Sequence, residues 1–328
     1  MQFIGCDVSK TSLDLAHYAA SKSRWIAAKK VANTARGWSA LLAWAGQHIQ
    51  TPRESICVVM EATGVYHLKA AAYLATAGLK VIVANPGRSA DYARAQNQLN
   101  KNDSLDARAL ARYGTQLDKP HWYIPESQEI SQLKNLLSRT LQLGKELRRE
   151  QNRLEKSAFM EASQLLRHSL RRQIKSIIRE QALIQGHIDQ LIKDHPCLQY
   201  NQQLMCSIKG IGKITSQWLL PLLSTERFNS AREVAAFLGL VPCHKSSGTS
   251  LLCRGKLSGR GNAQLRARLY MPALCASTNN PELRAFYQTL LARGKTPKQA
   301  LTAVMRKLVH ICYGVIKHQT PYQENYAA

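Results

Sequence analysis

The sequence predicts a mixed α/β domain followed by a mainly helical remainder. Two observations carry this. Three strand-like segments at 3–8, 13–19 and 25–33 are followed by alternating helical and strand patterns as far as residue 115. From residue 127 onward the period changes to that of helices, first in two long heptad-like runs and then in shorter helical segments joined by glycine-rich connections.

Each element of the first part has its own signal. Phe3-Ile4-Gly5-Cys6-Asp7-Val8 reads as a strand, and turn-forming Ser and Lys separate it from the next two. Residues 36–49 have helical spacing through Leu41, Leu42, Trp44 and Ile49. Residues 55–60 form a short apolar run suited to a buried central strand, with Glu61 directly after it. A helix at 66–78, a strand at 80–84 ended by Asn85-Pro86-Gly87, and helices at 88–97 and 103–115 complete the series. Three strands followed by alternating elements are the order expected of an RNase H-like domain.

The middle region, 127–195, steps by 4 and 3 through Leu133, Leu137, Thr140, Gly144, Leu147, Gln151 and Leu154. It does so again through Leu170, Ile174, Ile177, Gln181, Ile184, Ile188 and Leu191. This predicts two helices joined near 157–165, as an antiparallel hairpin or an oligomeric coiled coil, ended by Pro196. Residues 204–316 are expected to be mostly helical, with connections at 209–212, 247–248 and 255–261, and the polar tail from 318 to be mobile. The expected domains are therefore 1–126, 127–195 and 196–328.

Charge points to the partner. The chain has 45 Lys and Arg against 21 Asp and Glu, a net charge of +24. The excess is greatest in the last third, where residues 196–328 hold 17 basic and 4 acidic side chains. Self-repulsion on this scale destabilises a compact fold unless a polyanion neutralises it, and nucleic acid is the first candidate. Eight cysteines without a CxxC pair read as buried thiols in a reducing compartment. With no signal peptide read and no apolar run of roughly 18 residues, a cytoplasmic, nucleoid-associated protein is expected, with no membrane partner.

Three groups of residues carry chemistry. Asp7 lies on the first strand, Glu61 follows the central strand, and Asp103 and Asp106 share a face of a helix. Four carboxylates brought together repel one another unless a cation holds them, and their oxygens suit Mg²⁺ or Mn²⁺. The second group is Lys209-Gly210-Ile211-Gly212-Lys213, a helix-hairpin-helix-like turn whose backbone N–H groups can bind phosphate without reading sequence. The third is Ser246-Ser247-Gly248-Thr249-Ser250, followed by Arg254, Lys256, Ser258 and Arg260. That segment reads either as a nucleophilic serine with cations beside it or as a flexible phosphate-contacting loop.

These motifs occur in an order that resembles one family. Gly5-Cys6-Asp7-Val8-Ser9-Lys10, Met60-Glu61-Ala62-Thr63-Gly64, Asn85-Pro86 and Asn102-Asp103-Ser104-Leu105-Asp106-Ala107-Arg108 come first. Gly210-Ile211-Gly212, the run 235–242, Ser247-Gly248-Thr249-Ser250 and Leu269-Tyr270-Met271-Pro272-Ala273 follow. The sequence resembles the DEDD transposases of the insertion-sequence 110/1111 group, relatives of the Piv pilin-gene invertase, over nearly its whole length. The resemblance implies a RuvC-like domain with Asp7, Glu61, Asp103 and Asp106 as Mg²⁺ ligands. It also implies a coiled-coil middle and a C-terminal transposase domain with Ser247 as nucleophile. Thr249 departs from the family's Ser-Gly-Ser-Ser pattern, and Ser246 is the alternative one residue earlier. Donor and target DNA, a structured guide RNA and a homo-oligomer, dimer or tetramer, are the implied partners. Other readings of the same residues are a Holliday-junction nuclease that cleaves with water and a non-enzymatic nucleic-acid-binding protein.

Overall fold

The structure is a computed structural model. It describes residues 1–19, 24–62, 64–96, 103–118, 120–225, 227–247, 251–257 and 261–324. The chain divides into two compact units, Met1–Glu126 and Ser127–Ala328.

The first unit is built on a five-stranded sheet. β1 (Gln2–Val8), β2 (Ser12–Ala19) and β3 (Arg24–Ala32) form an antiparallel meander. β4 (Ile56–Glu61) and β5 (Lys80–Ala84) run parallel to β1, giving the order β3-β2-β1-β4-β5. Strand alternation sorts the side chains onto two faces. Ile4, Cys6, Val8, Leu13, Leu15, Val58, Met60 and Val81 point to one face. There they pack with Leu41, Trp44 and Ala45 of α1 (Ala35–His48) and Ala70, Ala71 and Leu74 of α2 (His67–Thr76). Cys57, Val59, Ile82 and Ala84 point to the other face and meet Leu110 of α4 (Asp103–Thr115).

Local chemistry sets the helix starts. Thr34 caps α1 by accepting a hydrogen bond from the Gly37 N–H. α3 (Pro86–Ala95) begins two residues earlier than the sequence pattern implies. Asn85 accepts from Gly87 N at 2.9 Å, and Pro86 occupies the first helical position, where its missing N–H costs nothing.

One close approach fixes the sheet's second face. A Cβ built on Gly5 would lie 1.7 Å from the Ala107 carbonyl oxygen and 2.6 Å from the Ala111 nitrogen. Glycine at position 5 therefore lets the α4 backbone rest directly on the central strand. Gly114 repeats the device one helix length on, where a Cβ would meet Val59 at 2.6 Å and Phe3 at 2.9 Å.

Among its described residues, the second unit is mainly helical and carries one antiparallel strand pair. α5 (Gln128–Phe159) and α6 (Gln164–Asp194) pack side by side, capped by Ser127 and Ser163. Their seam includes Leu133, Leu137, Ile184 and Ile188, and Gly144 faces Gln181 at 3.9 Å from its ideal Cβ position. α7 (Pro196–Cys206), α8 (Lys213–Leu223), α9 (Ala231–Phe237), α10 (Ala263–Arg268), α11 (Tyr270–Asn279) and α12 (Pro281–Ala292) follow. α7, α8, α9, α11 and α12 pack on α13 (Pro297–His318), which buries Leu301, Val304, Met305, Leu308, Val309 and Cys312.

Three expectations need correction here. β6 (Pro242–Ser247) and β7 (Leu251–Leu257) pair as antiparallel strands of a hairpin where helix and glycine-rich connections were expected. Pro242 opens β6 and turn-forming residues lie between the strands, a pattern that breaks helices and closes hairpins. The tail is anchored through residue 324: the Tyr322 N–H donates to Ser207 Oγ at 2.8 Å, and its ring hydroxyl meets Asn280 and Glu282. Of the six cysteines whose side chains are described, Cys6, Cys57 and Cys312 are buried, but Cys197, Cys206 and Cys275 are exposed.

Gly5→Ala is expected to destabilise the first unit by at least ~1–3 kcal/mol, because the added methyl collides with backbone. Gly46→Ala, where a Cβ meets nothing within 4 Å, is expected to gain ~0.5–1 kcal/mol from helix propensity. Chemical denaturation of the two variants checks both signs.

Candidate active site

Asp7 and Glu61 reach the same place from adjacent strands. The parallel register pairs Cys6 with Met60, so the next residues of each strand are Asp7 and Glu61, on Cα atoms about 5 Å apart. Cys6 and Met60 belong to the α1/α2 core, so alternation turns both acids to the face covered by α4. Both are half-buried. On α4, Asp106 directly precedes Ala107, the residue whose carbonyl sits against Gly5, two residues from Asp7. Asp103 opens α4; its side chain lies outside the described residues.

Two further side chains belong to this face. Asp14 stands directly opposite Asp7 in the antiparallel ladder, and Lys30 Nζ binds its carboxylate at 2.9 Å. Ser89, buried on α3, donates its hydroxyl to Glu61 Oε2 at 3.0 Å, with Asn85 and Pro86 carbonyls also within reach. The negative field is felt nearby: burial, then Asp7 and Asp14, push the Cys6 thiol well above its usual range. Cys6 therefore stays a neutral thiol.

Asp14 was legible, because the short turn at 9–11 puts it across from Asp7. No sequence signal links Ser89 to Glu61. Among the described residues, no three His, Cys, Asp or Glu side chains are gathered as a metal site. The donors that the fold brings to this face are carboxylate oxygens, the chemistry that suits a hard divalent cation.

The second group sits between α7 and α8. Gly210 has φ +108°, a left-handed conformation that favours glycine, and a Cβ there would meet Ala276 of α11 at 2.7 Å. Gly212 caps α8 without a side-chain hydrogen bond, so backbone N–H groups of its first turn remain for a ligand. Both flanking lysines are held internally. Lys209 pairs with Glu324, and Lys213 Nζ binds Asp189 Oδ2 at 2.7 Å. Burial raises the Asp189 pKa, but hydrogen bonds from Lys213, Gln217 and Gln185 outweigh it and hold the carboxyl below its ordinary value.

The third group lies on the hairpin. Ser247 is the last residue of β6 and pairs in register with Leu251; Ser246 pairs with Leu252. Arg254 and Lys256 lie on β7. Their side chains, together with Gly248, Thr249, Ser250 and Arg260, are outside the described residues. The hairpin is tied at its base. Gly261 (φ +114°) approaches the Gly239 backbone too closely for a Cβ, Asn262 N donates to Phe237 O at 3.1 Å, and Arg266 Nη1 donates to Leu238 O at 2.9 Å.

A DEDD transposase model matches residues 4–159, and a model described as "Transposase IS116/IS110/IS902 family" matches 202–288. The pilin gene-inverting protein of Moraxella lacunata is 31% identical over 324 residues, covering 98% of each chain. The chain belongs to the IS110 family of transposases. The pilin gene-inverting protein of Moraxella bovis is equally similar. An uncharacterized insertion-element IS110 protein of Streptomyces coelicolor is 28% identical over 162 residues, 49% of this chain and 38% of that one. As a member of the family, the transposase is a recombinase that cuts and rejoins DNA. No helix among its described residues is long and apolar enough to cross a membrane.

Ser89→Ala removes the hydroxyl that orients Glu61. On the expectation that Glu61 is a metal ligand, strand cleavage by the transposase should fall about 10- to 100-fold, with partial recovery at higher divalent-cation concentration. Stability should drop by only ~1 kcal/mol. Cleavage rates at several Mg²⁺ concentrations, alongside a thermal melt, separate the two effects.

Proposed function

We propose that the transposase is a site-specific recombinase that joins DNA through a covalent phosphoserine. In this reading Asp7, Glu61, Asp103 and Asp106 hold Mg²⁺, with Mn²⁺ as a substitute. The observation that carries it is a pair of carboxylates on the face that α4 covers, Asp7 next to the end of β1 and Glu61 at the end of its parallel neighbour β4. The order β3-β2-β1-β4-β5 supports an RNase H-like, RuvC-related sheet for residues 1–126. The remaining parts are a coiled-coil segment at 127–195 and a catalytic-serine domain at 196–328.

A divalent cation bound to the four acids would polarise the scissile phosphate and stabilise charge on its oxygens. Ser247 Oγ attacks that phosphorus. An O–P bond forms, the bond to a sugar oxygen breaks, and the serine proton ends on the departing sugar hydroxyl. After strands exchange, a sugar hydroxyl attacks the phosphoserine and returns the proton to Ser247. Bond energy is conserved, so rejoining needs no nucleotide cofactor. Arg254, Lys256 and Arg260 neutralise flanking phosphates, and the Lys209–Lys213 turn offers backbone N–H groups to another.

Recombining two duplexes favours a dimer or tetramer. The turn between α5 and α6 supports this, since Phe159 is 92% exposed and Met160 78%. Aromatic residues are only 7% of the chain, and backbone contacts carry no direct sequence information. A structured RNA encoded beside the gene, pairing with donor and target DNA, would supply that information. This reading sets the transposase in the cytoplasm, at the nucleoid.

Asp7→Asn and Glu61→Gln are each expected to cut Mg²⁺-dependent cleavage by more than the ~100-fold that indirect changes reach, with the fold retained. Either variant recombining at the parental rate would remove the metal assignment. Ser247→Ala should abolish the trapped protein–DNA adduct. An adduct peptide mapping to Ser246 moves the nucleophile by one residue, and cleavage without any adduct favours water as attacker.

The logarithm of non-specific DNA affinity is expected to fall linearly with that of salt concentration. Charge reversal of Arg254, Lys256 and Arg260 together should reduce the slope by up to about 3. RNA sequencing of the purified complex tests the guide, and site-specific recombination by RNA-free protein would return recognition to the side chains.

A further inference from the structure

The α4-covered face of the first unit carries a second feature, away from the carboxylates. Arg108 and Arg112 project from α4 over aromatic rings of the neighbouring strands. Arg108 lies 5.3 Å from the Trp25 ring centre, and Arg112 lies 5.4 Å from Trp25 and 5.5 Å from Tyr18. Tyr18 and Trp25 are themselves 5.0 Å apart, and Tyr92 of α3 stands edge-on to Tyr113 at 5.6 Å. Trp25, Tyr92, Gln96, Arg108 and Arg112 line a cavity of about 220 Å³.

A structural role accounts for some of this, since stacked guanidinium groups stabilise an aromatic cluster. It does not account for the charge. Both arginines are exposed, and neither pairs with a carboxylate among the described residues. Two cations are therefore held over rings with no carboxylate among the described residues to answer their charge. The cavity is smaller than the ~300–1,000 Å³ of sites for drug-sized ligands. A ligand that suits it brings one flat π-system and one anionic group.

We propose that this cavity binds one unpaired nucleotide, its base against Trp25 and Tyr92 and its phosphate on Arg108 and Arg112. Each base of a single strand offers a π-face, whereas stacked bases in a duplex do not. The position fits a strand that continues past the acids. Tyr18 lies four residues along β2 from Asp14, about 13 Å at strand rise, and on the same face. The inference rests on the recombinase reading for the identity of the strand, but not for the existence of the pocket.

Equilibrium binding by the full-length transposase in a metal chelator tests it without requiring catalysis. The probes are fluorescein-labelled oligo-dT, oligo-rU, an abasic strand of equal length, and a blunt duplex. Trp25→Ala and Arg112→Gln are each expected to weaken binding of at least one base-bearing single strand roughly tenfold while sparing the duplex. The strand that loses more, DNA or RNA, identifies the source of the nucleotide. Trp25→Ala should weaken the abasic strand less than a base-bearing one, because the base meets the ring directly and the phosphate only through the arginines held over it. A 5-iodouracil strand should crosslink to Trp25 or Tyr92.

Arg108→Gln and Trp25→Phe serve where the alanine variant does not fold, since the first is a surface change and the second keeps a ring. For Arg108→Gln the same roughly tenfold loss is expected; Trp25→Phe should keep parental affinity. Parental single-strand affinity in folded Arg108→Gln and Arg112→Gln overturns the proposal. So does an equal loss on duplex and single strand. Neither result touches the carboxylate site, which the cleavage assays of Asp7→Asn and Glu61→Gln judge separately.

Discussion

The contact between Gly5 and the α4 backbone is the constraint on which the first unit's arrangement depends. A side chain of any size at position 5 would push α4 away from the central strand. With hydrogen there, the α4 backbone at Ala107, the residue after Asp106, lies directly against β1 two residues from Asp7. Alternation then does the rest, because residues two apart on a strand share a face. Position 5 supplies the clearance and position 7 the carboxylate. The same alternation brings in Glu61 from β4, Asp14 from β2 and Tyr18 further along β2. One face of one sheet thus collects both the acids and the aromatic–arginine cavity, while its opposite face is devoted to the α1/α2 core.

Much of this was legible before the fold. Strand signals at residues 3–8 and 55–60 sufficed to put Asp7 and Glu61 at strand ends, because an apolar run with period two or none defines where a buried strand must stop. Asp103 to Thr115 read as a helix from its spacing. Less accessible were interactions made by side chains distant in sequence. Ser89 reaches Glu61 only because Pro86 starts α3 where it does, and nothing in the motif announces that reach. Asp14 takes its meaning from register, since the short turn at 9–11 sets it across from Asp7 while its residue type alone carries no signal.

The second unit departs further from its pattern. Residues 242–257 have no helical stripe, yet with helices on both sides their glycines read as connections at 247–248 and 255–261 rather than as parts of a hairpin. The Lys209–Lys213 turn shows a different gap. Its glycines have the conformational roles that its sequence implies, with Gly210 pressed on α11 and Gly212 at the start of α8. Its lysines look free in sequence but are bound by Glu324 and Asp189. Charge composition reveals how many cations a chain has, not how many are already answered by its own carboxylates.

The tail shows where the second unit closes. Asn280 is wholly buried at the start of α12, and its amide meets the Tyr322 hydroxyl at 3.1 Å. Truncation directly after α13 would strand that amide in the interior, at a cost of ~1–3 kcal/mol, and would also release Lys209. The segment that carries Tyr322 and Glu324 therefore acts as a latch that the helix count does not reveal. An affinity tag or fluorescent fusion belongs beyond Glu324, and a junction placed at residue 318 would report on a loosened protein rather than on the transposase itself.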